Sequence, residues 1–158
     1  MGWAPPSSQL MESGKRISES LWTQRYEAGA RAHWAEPEKL LVPALMHGRF
    51  QLLSRMFKLE PGDYVLVPRT PSDGEFTISR VAGAYGFDDS HYETIHPDLG
   101  HFIRIDQSTP VTRGYTQTAE TKRIASKFSY YRSAINLVGD PNYRDLIVSV
   151  FERTETPD

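Results

Sequence analysis

Six cationic side chains fall between His101 and Ile135: Arg104, Arg113, Lys122, Arg123, Lys127 and Arg132, against the carboxylates Asp106 and Glu120. The stretch therefore carries about +4 inside a chain whose formal net charge is -2. Tyr115, Tyr130 and Tyr131 are interleaved with those charges. Ammonium and guanidinium groups contact phosphates and ring faces stack on bases, so this mixture suits a nucleic-acid strand. The same residues also fit a solvated helix face beside core tyrosines, because charge runs often serve solubility alone.

A second group is aromatic: Tyr64, Phe76, Tyr85, Phe87 and Tyr92. Tyr64 and Phe76 stand in strand-like runs and are expected to pack. Tyr85 and Phe87 follow in a glycine-containing stretch read as a turn, where their rings could border a pocket for one unstacked base. Asp88 or Asp106 could then accept hydrogen bonds from the edge of that base.

A third group has metal-ligand chemistry. Asp88-Asp89-Ser90-His91 is followed by His96, Asp98 and His101, and neutral imidazole with carboxylate suits zinc or a non-haem metal. The spacing matches no established motif, and an Asp- and His-rich loop also reads as a solvated connection. No G-x-S-x-G, H-E-x-x-H or G-x-x-x-x-G-K-[ST] pattern occurs, so no enzyme class and no cofactor is indicated.

These residues need elements to hold them. Residues 1–20 are rich in Pro, Ser and Gly and read as a flexible leader, leaving 21–158 as a single domain. A helical pattern runs from Ser20 to Trp34. Another covers about Arg49 to Phe57, with Pro43 and Gly48 limiting its start. Glu60-Pro61-Gly62-Asp63 is turn chemistry. It leads into the strand Tyr64–Pro68, a second turn at Pro71–Gly74 and the alternating strand Glu75–Val81.

Residues 86–100 read as an acidic surface loop. His101–Asp106 reads as a third strand with Ile103 and Ile105 inward, and Ser133–Val138 as a fourth. Thr118 can cap a helix beginning at Ala119. Asp140 and Pro141 open a final helix with Tyr143, Leu146, Ile147, Val150 and Phe151 on one stripe. The expected fold class is α+β, a small curved antiparallel sheet or partly open barrel flanked by helices.

The chain has 158 residues, no Cys and 39% hydrophobic residues. That is enough material for a core without a disulfide or structural metal. No apolar run approaches the roughly 20 residues that cross a bilayer, and the start lacks the profile of a signal peptide. The expected location is cytoplasmic, with no membrane partner.

The middle of the chain carries a recognisable order of motifs. A helix ends in Leu53-Ser54-Arg55-Met56-Phe57 and is followed by Gly62-Asp63 before the strand Tyr64–Pro68. Then come Phe76–Val81 with Gly83-Ala84-Tyr85, an acidic connection and His101-Phe102-Ile103-Arg104. Over about residues 49–138 this resembles the EVE-like domain of the PUA superfamily found at the N-terminus of Mrr-type restriction endonucleases. The resemblance implies a PUA-like pseudo-barrel that binds nucleic acid, in several relatives with a preference for modified bases held in an aromatic pocket. It assigns the base pocket to Tyr85, Phe87 and His101. The Trp-containing first strand usual in such domains has no equivalent before Leu40, and none of the 158 residues reads as a nuclease domain.

The expectation is a non-enzymatic module that binds DNA or RNA, acting with a separate effector protein in a bacterial defence or mobile-element setting. Arg104, Arg113, Lys122, Arg123 and Lys127 would position the phosphate backbone. Two other readings compete: a protein-interaction or regulatory domain, and a metal-dependent enzyme using His91, His96 and His101.

Overall fold

The computed structural model describes residues 5–90, 100–108, 110–131 and 133–153. The chain divides into two compact units, Met1–Lys58 with Ala84–Arg104 and Leu59–Gly83 with Ile105–Asp158.

In the first unit, Ser13 and Gly14 both adopt positive φ, +49° and +74°, the signature of a two-residue hairpin turn whose twist matches its strands. The turn joins β1 (Met11–Glu12) to β2 (Lys15–Arg16). Ser18 then caps α1 (Glu19–His33), accepting the Leu21 N–H at 3.2 Å. Proline at the first helical position starts α2 (Pro43–Leu53), and a 3₁₀ turn continues it through Lys58. The helix thus begins before the expected Arg49. Pro43 initiates here because its missing N–H is not needed at that position, and Gly48 in the interior is tolerated at a cost of about 1 kcal/mol.

The core of this unit is aromatic: the Trp22 ring lies 4.7 Å from Tyr26 and 5.5 Å from Phe50. The stretch read as a leader belongs to it. Leu10 is fully buried and Ile17 nearly so, and the Trp22 Nε1–H donates to the Ser8 carbonyl at 2.9 Å. Burying two such aliphatic side chains stabilises by about 1.5–3 kcal/mol each, which outweighs the weak local propensity of a Ser- and Gly-rich segment. Arg16 places its guanidinium 5.3 Å from both the Phe50 and Phe57 rings and donates to Ser54 Oγ at 2.6 Å.

The second unit opens on the turn at Gly62, whose φ is +98°, closed by the Asp63 N–H donating to the Glu60 carbonyl at 3.0 Å. Next come β3 (Tyr64–Pro68) and the long β4 (Glu75–Phe87), whose last residues belong to the first unit. They pair antiparallel from Tyr64↔Arg80 to Pro68↔Phe76. β5 (His101–Ile105) joins β4 farther along, and β6 (Val111–Gly114) pairs with Glu75–Ile78.

Thr118 caps α3 (Ala119–Ser126) reciprocally with Thr121, and Asp140 caps α4 (Pro141–Glu152) by accepting the Asn142 N–H at 3.0 Å. Phe76 and Ile78 of the sheet pack with Ile124, Tyr143, Ile147 and Val150 of these helices. The fold is α+β, a small antiparallel sheet flanked by helices, with no closed barrel among the described residues. No described helix is long and apolar enough to cross a membrane.

Two strand expectations are corrected. Residues 133–135 form bends and 136–138 are irregular, and Asn136 Nδ2–H donates to the Ser133 carbonyl at 2.5 Å. A side chain that bonds its own backbone competes with a ladder. The fourth strand is instead Val111–Gly114, beside β4. Ile105, expected inward, is 39% exposed.

Candidate nucleic-acid interface

β4 continues through Phe87, so Tyr85 and Phe87 stand on a strand and not in a turn. Alternation puts both on one side and Gly86 on the other. The Phe102 ring of β5 packs over Gly86 so closely that a Cβ there would meet it at 2.3 Å. Tyr85 Oη accepts the Leu10 N–H at 3.0 Å and lies 2.8 Å from His101 Nδ1. Its ring centre is 5.0 Å from that of Phe57 and 5.9 Å from that of His101, while Phe87 meets His101 edge-on at 4.9 Å.

Burial pushes the Tyr85 phenol up to about 12, opposed in part by the Leu10 N–H. The phenol therefore keeps its hydrogen well into alkaline pH, and the short contact with His101 Nδ1 is a hydrogen bond whichever ring tautomer is present. The three residues assigned to a base pocket are thus gathered in one half-buried cluster of the first unit, Tyr85 hydrogen-bonded to His101 and Phe87 in ring contact with it. Arg104, on β5 of the same unit, is exposed.

His91 and His96 lie outside the described residues. Among the described residues no group of three His, Cys, Asp or Glu side chains is arranged to hold a metal ion. Asp106 accepts the Ser108 N–H at 2.9 Å and its hydroxyl at 2.6 Å, and these bonds hold its carboxyl below the usual carboxylate range.

The remaining cations belong to the second unit. Thr121 and Ile124 of α3 are buried, which leaves Lys122 and Arg123 exposed on its outer side, with Lys127 exposed just past its end. None of these three has an ion-pair partner among the described residues, whereas nearby Glu120 pairs with Arg153 at 3.1 Å. Arg113 is engaged: it donates to the Thr112 carbonyl at 3.0 Å and to the Arg153 carbonyl at 3.2 Å. A guanidinium at the C-terminus of α4 satisfies an end carbonyl and complements the helix dipole. Tyr130 is 78% exposed, and its ring centre is 5.6 Å from Lys127 Nζ. Arg132 lies outside the described residues.

Sequence reasoning missed a concavity of about 380 Å³ beside this cation-bearing segment. Pro68 and Arg69 at the end of β3 form one side and Tyr115, just after β6, another; Ala125, Phe128, Ser129 and Tyr131 close it from α3 and the turn that follows. The ring walls are braced from behind. Phe128 packs edge-on against Phe76 at 5.8 Å, and Tyr131 stacks on Tyr143 at 5.8 Å and 12°.

Arg69 holds a left-handed φ of +56°, which costs a residue with a Cβ about 1–2 kcal/mol. Its N–H donates to Tyr115 Oη at 3.1 Å, one bond that offsets the strain. The tyrosines were visible as a group in the sequence. Pro68 and Arg69 carried no signal, because they reach the site only through the β3–β4 pairing.

No family model, curated protein or solved structure matches the chain.

Proposed function

We propose that the chain is a nucleic-acid-binding module that meets its partner through α3 and the turn after it. The observation that carries this reading is the set Lys122, Arg123 and Lys127: three exposed cations on one short segment, without ion-pair partners among the described residues, next to the exposed ring of Tyr130. Such groups displace the counterions condensed on nucleic-acid phosphates, and that release drives binding. The exposed ring adds a stacking surface that tolerates any base. Because Arg113 holds the end of α4, the backbone-phosphate contacts of this reading fall to Lys122, Arg123 and Lys127.

The EVE-like order of motifs supports the same class of partner. It also favours a cytoplasmic module working beside a separate effector in a restriction or mobile-element setting, with DNA and RNA both admitted.

The test is equilibrium binding of fluorescent DNA and RNA oligonucleotides to the wild-type chain and to K122A/R123A/K127A. The variant replaces exposed residues, so its melting temperature stays near that of the wild type while its affinity falls. An unchanged affinity in the variant, or a wild-type chain that binds neither polymer, overturns the reading.

A further inference from the structure

We infer that the cavity between the end of β3 and the end of α3 is a site for one planar heteroaromatic ring that carries a phosphate, a nucleotide either free or within an unpaired strand. Its walls are the rings of Tyr115, Phe128 and Tyr131, and its volume of about 380 Å³ falls within the range of small-ligand sites. Aromatic walls braced by Phe76 and Tyr143 are preformed, so a flat guest is stacked without the walls having to be ordered first.

The rim is cationic. Arg69 lines the cavity and is exposed, and its ion pair to the exposed Asp73 is long, 4.0 Å. Lys122 stands one helical turn before the cavity-lining Ala125 and so shares its side of α3. Tyr115 Oη accepts the Arg69 N–H, which leaves its hydrogen to donate toward a guest. An arginine kept in a strained backbone conformation at the mouth of a cavity is a pattern that marks ligand sites. None of the lining residues is among Tyr85, Phe87 and His101, the set the family resemblance selects.

For its polymeric source the inference rests on the α3 reading, and it narrows the partner: a ring inside a duplex cannot enter a cavity walled on several sides, so unpaired strands bind more tightly than duplexes of the same sequence.

The experiment compares three ligands, nucleoside monophosphates, a single-stranded oligonucleotide and its duplex, on the wild type and on two variants. Ala125→Trp fills the cavity. Arg69→Gly removes the guanidinium while suiting the positive φ, so it folds even if the bulky variant does not.

Expected are saturable monophosphate binding and a single-strand preference of about tenfold or more, both reduced in each folded variant, with duplex affinity nearly unchanged. Monophosphate binding in a chain that takes up no polymer identifies a free nucleotide as the guest and ends the α3 reading alone. Salt-dependent polymer binding with no monophosphate binding, and with the same single-strand to duplex ratio in wild type and variants, overturns the cavity assignment and leaves the α3 reading standing. Absence of all binding overturns both.

Discussion

The Tyr85 hydroxyl accepts the Leu10 N–H at 3.0 Å and reaches His101 Nδ1 at 2.8 Å. One oxygen thereby ties the N-terminal segment, β4 and β5 within the first unit. Leu10 is fully buried, so its amide has no water to replace that bond, and a buried donor left unsatisfied costs more than a typical hydrogen bond contributes.

Tyr85→Phe keeps the ring contacts with Phe57 and His101 but removes the shared oxygen. The expected loss of stability is about 1–3 kcal/mol, read as a lower urea midpoint, together with faster amide exchange at Leu10. A midpoint equal to that of the wild type would show that the hydroxyl does not fasten the segment.

Stability should also decline in alkali. The Tyr85 phenol titrates at about 12 in the folded chain, against its ordinary value of 10.0, because it is buried. The folded chain thus binds this proton more tightly than the unfolded chain does. Its contribution is whole below pH 10 and is lost as the pH rises toward 12. Burial, with Tyr131 nearby, shifts Tyr143 in the same direction. Urea midpoints measured across this window should fall, and the fall should be shallower for Tyr85→Phe. A flat profile would contradict the burial of both phenols.

Gly86→Ala sets two effects against each other. Replacing a strand glycine gains about 0.5–1 kcal/mol from backbone entropy, but the new methyl would lie 2.3 Å from the Phe102 ring, and overpacking typically costs about 1–3 kcal/mol. Net destabilisation is expected, with partial recovery in the double variant Gly86→Ala/Phe102→Ala. The double-mutant cycle reads the coupling directly, and additivity of the two changes would refute the contact.

The parts of this fold that were legible in the sequence are those decided locally. Thr118, Asp140 and Pro141 announce the starts of α3 and α4, and Gly62 announces its turn, because each acts on backbone groups a few residues away. The N-terminal hairpin was legible in principle from Ser13-Gly14, a dipeptide that accepts two positive φ values, but the surrounding Ser and Pro content masks it.

What could not be read depends on distant partners. Val111 and Thr112 favour a strand, but Arg113 and Gly114 do not extend the run, and so short a segment becomes β6 through its pairing with β4. Ile135, Leu137 and Val138 look like a strand in the sequence yet adopt bend and irregular backbone. The site followed the same division. The α3 cations were read from their spacing, whereas the engagement of Arg113 with the α4 terminus and the cavity at Arg69 arise from tertiary packing alone.

Tyr130→Ala separates stacking from folding. The ring is 78% exposed, so the change in stability should stay within about 0.5 kcal/mol. Single-strand affinity should fall by about 1–3 kcal/mol if a base stacks there. Unaltered affinity would limit the interface to the three cations.

The most direct test of the α3 interface is the dependence of nucleic-acid affinity on salt concentration. The logarithm of the wild-type association constant should fall linearly with the logarithm of salt, and K122A/R123A/K127A should flatten that slope by about 3, near one for each lost phosphate contact. An identical slope for the two proteins, or a wild-type affinity indifferent to salt, would contradict it.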